Sequence, residues 1–337
     1  VHLREKCGGY FSPLKPKISK LKSSVFTLTA METIQFNLLT SAPFRLDLTV
    51  WVLRRRDTNR IDSWDGKTYR RAMILDSQIV LASVEQRGSA AQPQLGVTLV
   101  CENPSARIRL AAQSALISMF GLNIDLSGFY AMAQADTHLS PVVKRFRGVK
   151  PTRFLTLFES IANAIVLQQL SVNAGISILN RLAESYGVSC DYGQNACYLF
   201  PEARSIAGLR VEEIKRVGVS ANKARALVEG AQRIMERSLS FDDFEKMDNE
   251  PAFNELVKFR GIGRWSADYV LLRGLGRLDV FPRGDSGARA SLDRWLRPDG
   301  KLSDPELEDI MSGWREYAGL IYFHLLLRGL AEKGFIA

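Results

Sequence analysis

The sequence predicts an α+β chain, with an antiparallel β-sheet domain at the N-terminal side followed by mainly α-helical domains. Three observations predict it. Between residues 42 and 101, runs of β-forming residues alternate with turn signals. From Pro104 onward the apolar period becomes that of helices. The length of 337 residues, with 46% hydrophobic and 24% charged residues, suits a soluble globular protein of two or three domains.

Residues 1–30 carry Arg4, Lys6, Lys15, Lys17, Lys20 and Lys22 against Glu5, a net of +5 out of a formal +9 for the chain. They read as a flexible basic extension, with the folded unit opening near Met31. "APFRLDLTVWVLRRR" (42–56), "KTYRRAMIL" (67–75), "SQIVLASVEQ" (77–86) and "PQLGVTLVC" (93–101) read as strands. "DTNRIDSWDGK" and "RGSAAQPQ" separate them as turns, giving a β-rich domain over 31–104. "SARIRLAAQSALISMFGL" reads as a helix, and "DLSGFYAMAQAD" starts a second, capped by Asp125 or Ser127. Residues 151–187 hold two helices joined near Gln168–Ser171, and "SIAGLRVEEIKRVGVSANKARALVEGAQRIMER" holds two or three more, broken at Gly218. About ten helices result. They exceed one small bundle and are expected to form two lobes.

The four cysteines, Cys7, Cys101, Cys190 and Cys197, are dispersed without a C-x-x-C pair, which disfavours zinc and iron–sulfur sites and suits a reduced compartment. The three histidines, His2, His138 and His324, have no neighbours at ligand spacing, so a histidine triad or metal centre is not expected. No apolar run reaches the ~18 residues of a membrane span, and no secretory signal is visible. A cytoplasmic protein is expected, without membrane contact. Outside the basic extension the body carries only about +4, weak evidence by itself for a polyanionic partner.

"FRGIGRWSADYVLLRGLGRLDVFPRGDSGARA" (259–290) is the most informative stretch. "PAFNELVKF" and "RWSADYVLLRGL" both have helical spacing, with "RGIG" between them. Gly261 and Gly263 permit a tight turn, Ile262 can plug it, and the free N–H groups of the second helix form an anion site. Such a site ignores base identity and suits a phosphodiester backbone. A plain helical hairpin, with glycines for steric reasons, accounts for "GIG" equally well. Asp285 can cap the helix "SGARASLDRWL"; capping does not preclude chemistry.

The segment "LVKFRGIGRWSADYVLLRGLGRLDVFPRGDSGAR" resembles the helix-hairpin-helix DNA glycosylases, and within them is most similar to the DNA-3-methyladenine glycosylase II family. "FGLNIDLSGFYAMA", "TLFESIANAIVLQQLSV", "GVSANKARALVEGA" and "WREYAGLIYFHLL" match comparable family segments in the same order, over residues ~40 to 330. The resemblance implies an N-terminal sheet domain like half of TATA-binding protein. Two helical domains would follow, 105–150 with 276–337 and 151–275, the hairpin occupying about 251–275. It implies a monofunctional glycosylase acting in base excision repair. The substrate would be double-stranded DNA containing alkylated purines, and the protein a monomer.

Residue by residue, the resemblance makes Asp285 the catalytic aspartate, stabilising an oxocarbenium-like sugar and orienting water. Asp268, Asp279 and Asp293 are read as structural. Trp265 stands where strand-nicking relatives carry a lysine, so no Schiff base is expected. Trp265, Tyr269 and Trp314 would form an aromatic slot for a cationic base, at about 1–2 kcal/mol per contact, although core packing explains each of them too. Gln168, Gln169, Leu170 and Ser171 match the wedge loop that fills the gap left by a flipped base; Gln169 and Leu170 are the alternatives for the plug. Gly261, Gly263, Arg264 and Arg289 would contact DNA, as would Lys223 unless it is simply solvated surface. No cofactor is required, but the carbonyls of Val257 and Phe259 would hold a structural Na+ or K+. A non-catalytic lesion sensor on the same hairpin, or an oxidised-purine glycosylase, are the alternatives.

Overall fold

The computed structural model describes residues 31–190 and 197–336, so the expected basic extension 1–30 lies outside the described residues. Strands β1 (Glu32–Leu39), β2 (Ser63–Trp64), β3 (Thr68–Leu75), β4 (Gln78–Arg87) and β5 (Gln94–Cys101) form an antiparallel sheet in the order β1-β5-β4-β3-β2. Alternation sets its register. Phe36, Val97, Val84 and Tyr69 are paired in one row across the sheet, and all four are buried on the same face.

That face is covered by α1 (Leu46–Arg54) and α2 (Ala106–Phe120). The segment 42–56 therefore corrects the sequence expectation, being a helix rather than a strand. Its apolar residues mimic a period of two because α1 is buried on two sides. Leu46, Val50 and Leu53 meet the sheet core, while Leu48 and Val52 enter a second core made with the C-terminal helices. A helix apolar all round loses the stripe that identifies it.

The remaining elements are α3 (Ser127–Ala135), α4 (Leu139–Arg145), α5 (Leu157–Leu167), α6 (Val172–Tyr186), β6 (Val188–Cys190), β7 (Cys197–Leu199), α7 (Ala203–Ala207), α8 (Val211–Lys215), α9 (Ala221–Arg237), α10 (Phe241–Glu245), α11 (Asn249–Leu256), α12 (Arg264–Arg273), α13 (Ser286–Leu296), α14 (Asp304–Gly313) and α15 (Ala318–Glu332). Helices α7, α8 and α10 have five residues each, too short to show a period. The β6–β7 hairpin was not expected either. It packs Cys190, Cys197 and Leu199 against Ala72 and Leu81, on the sheet face opposite α1 and α2.

One helical core forms around α5, buried along its whole length, with α6, α9 and α12 against it. Another joins α3, α4, α13 and α15 to the outer side of α1. Between the sheet and α5 lies a buried charge network. Arg71 on β3 donates to Asp62 at 2.7 Å and to Glu159 on α5 at 2.6 Å, and Tyr69 donates to Asp62 at 2.7 Å. The negative charges of Asp62 and Glu159 outweigh burial and hold the Arg71 guanidinium firmly protonated.

His324 of α15 is 1% exposed, against the Phe129 ring at 5.2 Å, with Nδ1 2.9 Å from the Leu320 carbonyl. Burial pushes its imidazole down from 6.5 to about 4. The unfolded chain therefore binds the extra proton first, and stability falls as pH drops from 6.5 through 4. That gap is worth about 3 kcal/mol. Urea titrations between pH 7 and 4 are expected to show this loss in the wild type and a flatter profile in His324→Leu; equal slopes would refute it.

Candidate active site around Asp285

The hairpin is built by local geometry. Helix α11 ends at Leu256, and two tight bonds follow, Phe259 N–H to the Leu256 carbonyl at 3.0 Å and Ile262 N–H to the Phe259 carbonyl at 3.1 Å. Gly261 then takes φ 77°, a left-handed value that disfavours side chains. Ile262 between the glycines is 5% exposed and plugs the α5 core, as the sequence predicts. Gly263 caps α12 in an extended conformation without a side-chain bond. The first-turn N–H groups of α12 have no intrahelical acceptors and lie beside exposed Gly261, Gly263 and Arg264. A Cβ at Gly263 would meet nothing within 4 Å, so open space borders the backbone at that position.

Asp285 is the N-cap of α13, with Oδ1 accepting from Ala288 N–H at 2.8 Å. Its other oxygen faces the hairpin. Oδ2 accepts from Trp265 Nε1 at 3.2 Å and from the Tyr322 hydroxyl at 2.8 Å. Asp285 is half-buried, as are Trp265 and Tyr322. Burial first, and the Asp285 charge second, push the Tyr322 hydroxyl well above its ordinary value, so it stays a donor throughout the neutral range. Trp265 stacks on Tyr269 with ring centroids 5.3 Å apart at 29°. Tyr269 is 3% exposed, and its hydroxyl accepts from Arg55 at 2.9 Å. Trp265 is the half-exposed member of this stack, and Tyr269 backs it.

The segment 168–171, expected to act as a wedge, is tied to the hairpin. Gln168 Nε2 donates to the Gly261 carbonyl and to Ser266 Oγ, both at 2.7 Å. Gln169 adopts φ 54°, and Gln169, Leu170 and Ser171 are exposed, with Leu170 40% accessible. Lys223 does not stand free on the surface. Its ammonium donates to the carbonyls of Val166 at 2.9 Å and Gln168 at 2.6 Å, bracing the loop from below. Ser171 caps α6 by accepting from Ala174 N–H.

Two expected members are placed elsewhere. Trp314 is 3% exposed, stacks on Trp295 at 5.7 Å and donates to Asp136 at 2.7 Å, as a core tryptophan does. Arg289 spends its guanidinium on Asp293 at 3.2 Å, Asp304 at 2.7 Å and the Leu302 carbonyl, fastening α13 to α14. Arg264 lies exposed over the Phe253 ring at 4.9 Å, beside the open helix end. The aspartates read as structural have structural partners. Asp268 accepts from Arg283 N–H, Asp279 from Asn249, and Asp293 from Leu302 N–H.

Tyr322 and Arg55 are the residues that sequence reasoning missed. The signal for Tyr322 was a hydroxyl in the apolar run "LIYFHLLL", which needs a partner when buried. Nothing in the sequence named Asp285 as that partner. Arg55 was hidden because its segment was read as a strand.

Residues 162–316 match the family model of HhH-GPD superfamily base excision DNA repair proteins. A DNA-3-methyladenine glycosylase of Bacillus subtilis is 29% identical over 206 residues, covering 61% of this chain and 68% of that protein. DNA-3-methyladenine glycosylase 2 of Escherichia coli is 34% identical over 125 residues, covering 37% of this chain and 43% of that protein. The structure of 3-methyladenine DNA-glycosylase from Archaeoglobus fulgidus superposes with a TM-score of 0.75 at 25% identity, over 87% of this chain and 97% of that one. The matched stretch holds the loop 168–171, the glycine hairpin and Asp285 together, and in it the chain is similar to HhH-GPD superfamily base excision DNA repair proteins.

Proposed function

We propose that this chain is a monofunctional DNA glycosylase that hydrolyses the N-glycosidic bond of alkylated purines in double-stranded DNA. The observation that carries the reading is the Asp285 carboxylate, held by Trp265 and Tyr322 beside the open N-terminus of α12. The hairpin N–H groups and Arg264 grip the backbone. Gln169 or Leu170 enters the gap left by the flipped nucleotide, and the base stacks on the open face of Trp265. The C1′–N bond breaks with its electron pair leaving on the base, which an alkylated, cationic purine accepts readily. Asp285 stabilises the positive sugar as water forms the new C1′–O bond and gives up a proton to the carboxylate. Trp265 supplies no amine, so the strand is left intact and abasic; this favours hydrolysis over the lyase chemistry of an oxidised-purine enzyme.

The same reading includes a sheet domain like half of TATA-binding protein and two helical domains, supported by the helix between β1 and β2 and by the two helical cores. It includes a monomer working in the cytoplasm; no helix among the described residues is long and apolar enough to cross a membrane. The Val257 carbonyl lies at the C-cap of α11, and the Phe259 carbonyl keeps a second lone pair. Both fit a hard monovalent cation, which would add positive charge for a phosphate.

The test is release of free base from dimethyl-sulfate-treated duplex. The wild type is expected to release 3-methyladenine or 7-methylguanine and leave unbroken abasic strands. Duplex binding without release would favour a lesion sensor.

A further inference from the structure

Asp285 is reached from both helical cores. Trp265 belongs to α12 and the α5 core; Tyr322 belongs to α15 and the C-terminal core. The two donors differ. The Trp265 bond is the longer, at 3.2 Å against 2.8 Å, and comes from the ring whose open face would receive the base. The Tyr322 ring is packed edge-on against Phe281 at 5.7 Å and 84°, on a helix whose neighbours Ile321 and Phe323 are fully buried. Phe281 opens the loop that ends at Asp285, so one tyrosine grips the loop by its ring and the carboxylate by its hydroxyl.

We infer that Tyr322 is a positioning residue for the excision reaction, fixing the Asp285 carboxylate in one orientation by its hydrogen bond to Oδ2 while Trp265 engages the flipped base. The inference rests on the glycosylase reading above. Oδ1 is committed to the α13 backbone, so Oδ2 is the oxygen whose direction the protein controls from the site side. Without the hydroxyl, Trp265 alone would hold it, through the longer bond and from the ring proposed to stack on the base. A carboxylate free to rotate about its bond to Cβ loses the alignment that makes a fixed charge effective.

Tyr322→Phe keeps the ring and its packing on Phe281 and removes only the donor. Single-turnover excision is expected to fall roughly 10- to 100-fold, as for loss of a hydrogen bond to a charged group. Affinity for a duplex holding an abasic analogue should stay within about twofold. In an Asp285→Asn background the same substitution should slow excision no further, because its target is gone. Wild-type rate in Tyr322→Phe, or an equal loss in both backgrounds, would overturn the inference. The contact is also read without catalysis, by a double-mutant cycle of urea unfolding midpoints for Tyr322→Phe and Asp285→Asn. Non-additive shifts support the bond and additive ones overturn it. Absence of base release by the wild type would instead overturn the glycosylase reading.

Discussion

Asp285→Asn is expected to lower single-turnover release of methylated purines by about 100- to 1000-fold, the usual cost of removing one preorganised electrostatic group. The substitution removes the charge and keeps the helix cap. Asparagine caps helices about as well as aspartate, so the Ala288 N–H keeps an acceptor and α13 keeps its start. The amide nitrogen then faces the Trp265 Nε1 and Tyr322 hydroxyl donors that Oδ2 accepted from, so the unfolding midpoint should fall by the equivalent of about 1–3 kcal/mol. Binding to an abasic duplex should persist, because the hairpin N–H groups, Arg264 and the wedge loop are untouched. Its affinity should fall with added salt equally in both proteins, since the phosphate contacts set that slope. Equal release by wild type and variant would remove the catalytic role from Asp285 and leave it only a helix cap.

The two parts of this site were not equally legible. The glycine hairpin and Asp285 could be read because their chemistry is local: left-handed backbone at Gly261, a plug at Ile262 and an aspartate opening a helix are properties of neighbours in sequence. The aromatic lining could not be sorted that way. Trp265 and Trp314 look alike as residues, and only packing separates a half-open indole bonded to Asp285 from one bonded to Asp136 in the core. Cationic residues misled for a related reason. Arg289 and Lys223 suggested phosphate contacts, yet their partners, Asp304 and the Gln168 carbonyl, lie on other elements. Helix α1 failed as a strand because two cores claim opposite sides of it, and a pattern read along the chain records their sum.

Removing Arg71 is the stability change with the largest expected effect. Arg71 is 1% exposed, and the side chains of Asp62 and Glu159 are each 3% exposed. Taken as a trio, these charges need not stabilise the fold beyond a well-packed apolar replacement, since desolvation offsets much of their attraction. Removing one member is different. Arg71→Met leaves two carboxylates buried without a cation, at a cost of about 3–5 kcal/mol, a large share of the ~5–15 kcal/mol that a typical protein has in total. The sign with pH follows from the geometry. Burial already raises the Glu159 carboxyl, and the Arg71 charge opposes that rise. Without Arg71 the rise is unopposed, and a carboxyl whose folded value is raised contributes stability that is lost as pH increases. The deficit of Arg71→Met relative to wild type should therefore be smaller at pH 5 than at pH 8, measured by urea unfolding. Arg71→Met combined with Asp62→Asn and Glu159→Met should recover most of the loss, because no charge is then left alone. A deficit that grows on acidification, or a triple variant no better than the single one, would show that the network holds the sheet to α5 by something other than charge balance. The consequence reaches the site, because Glu159 lies on the same helix whose C-terminal end presents Gln168 to the hairpin. Wild-type stability in Arg71→Met would mean that water reaches the carboxylates and that the sheet is not fastened to α5 there.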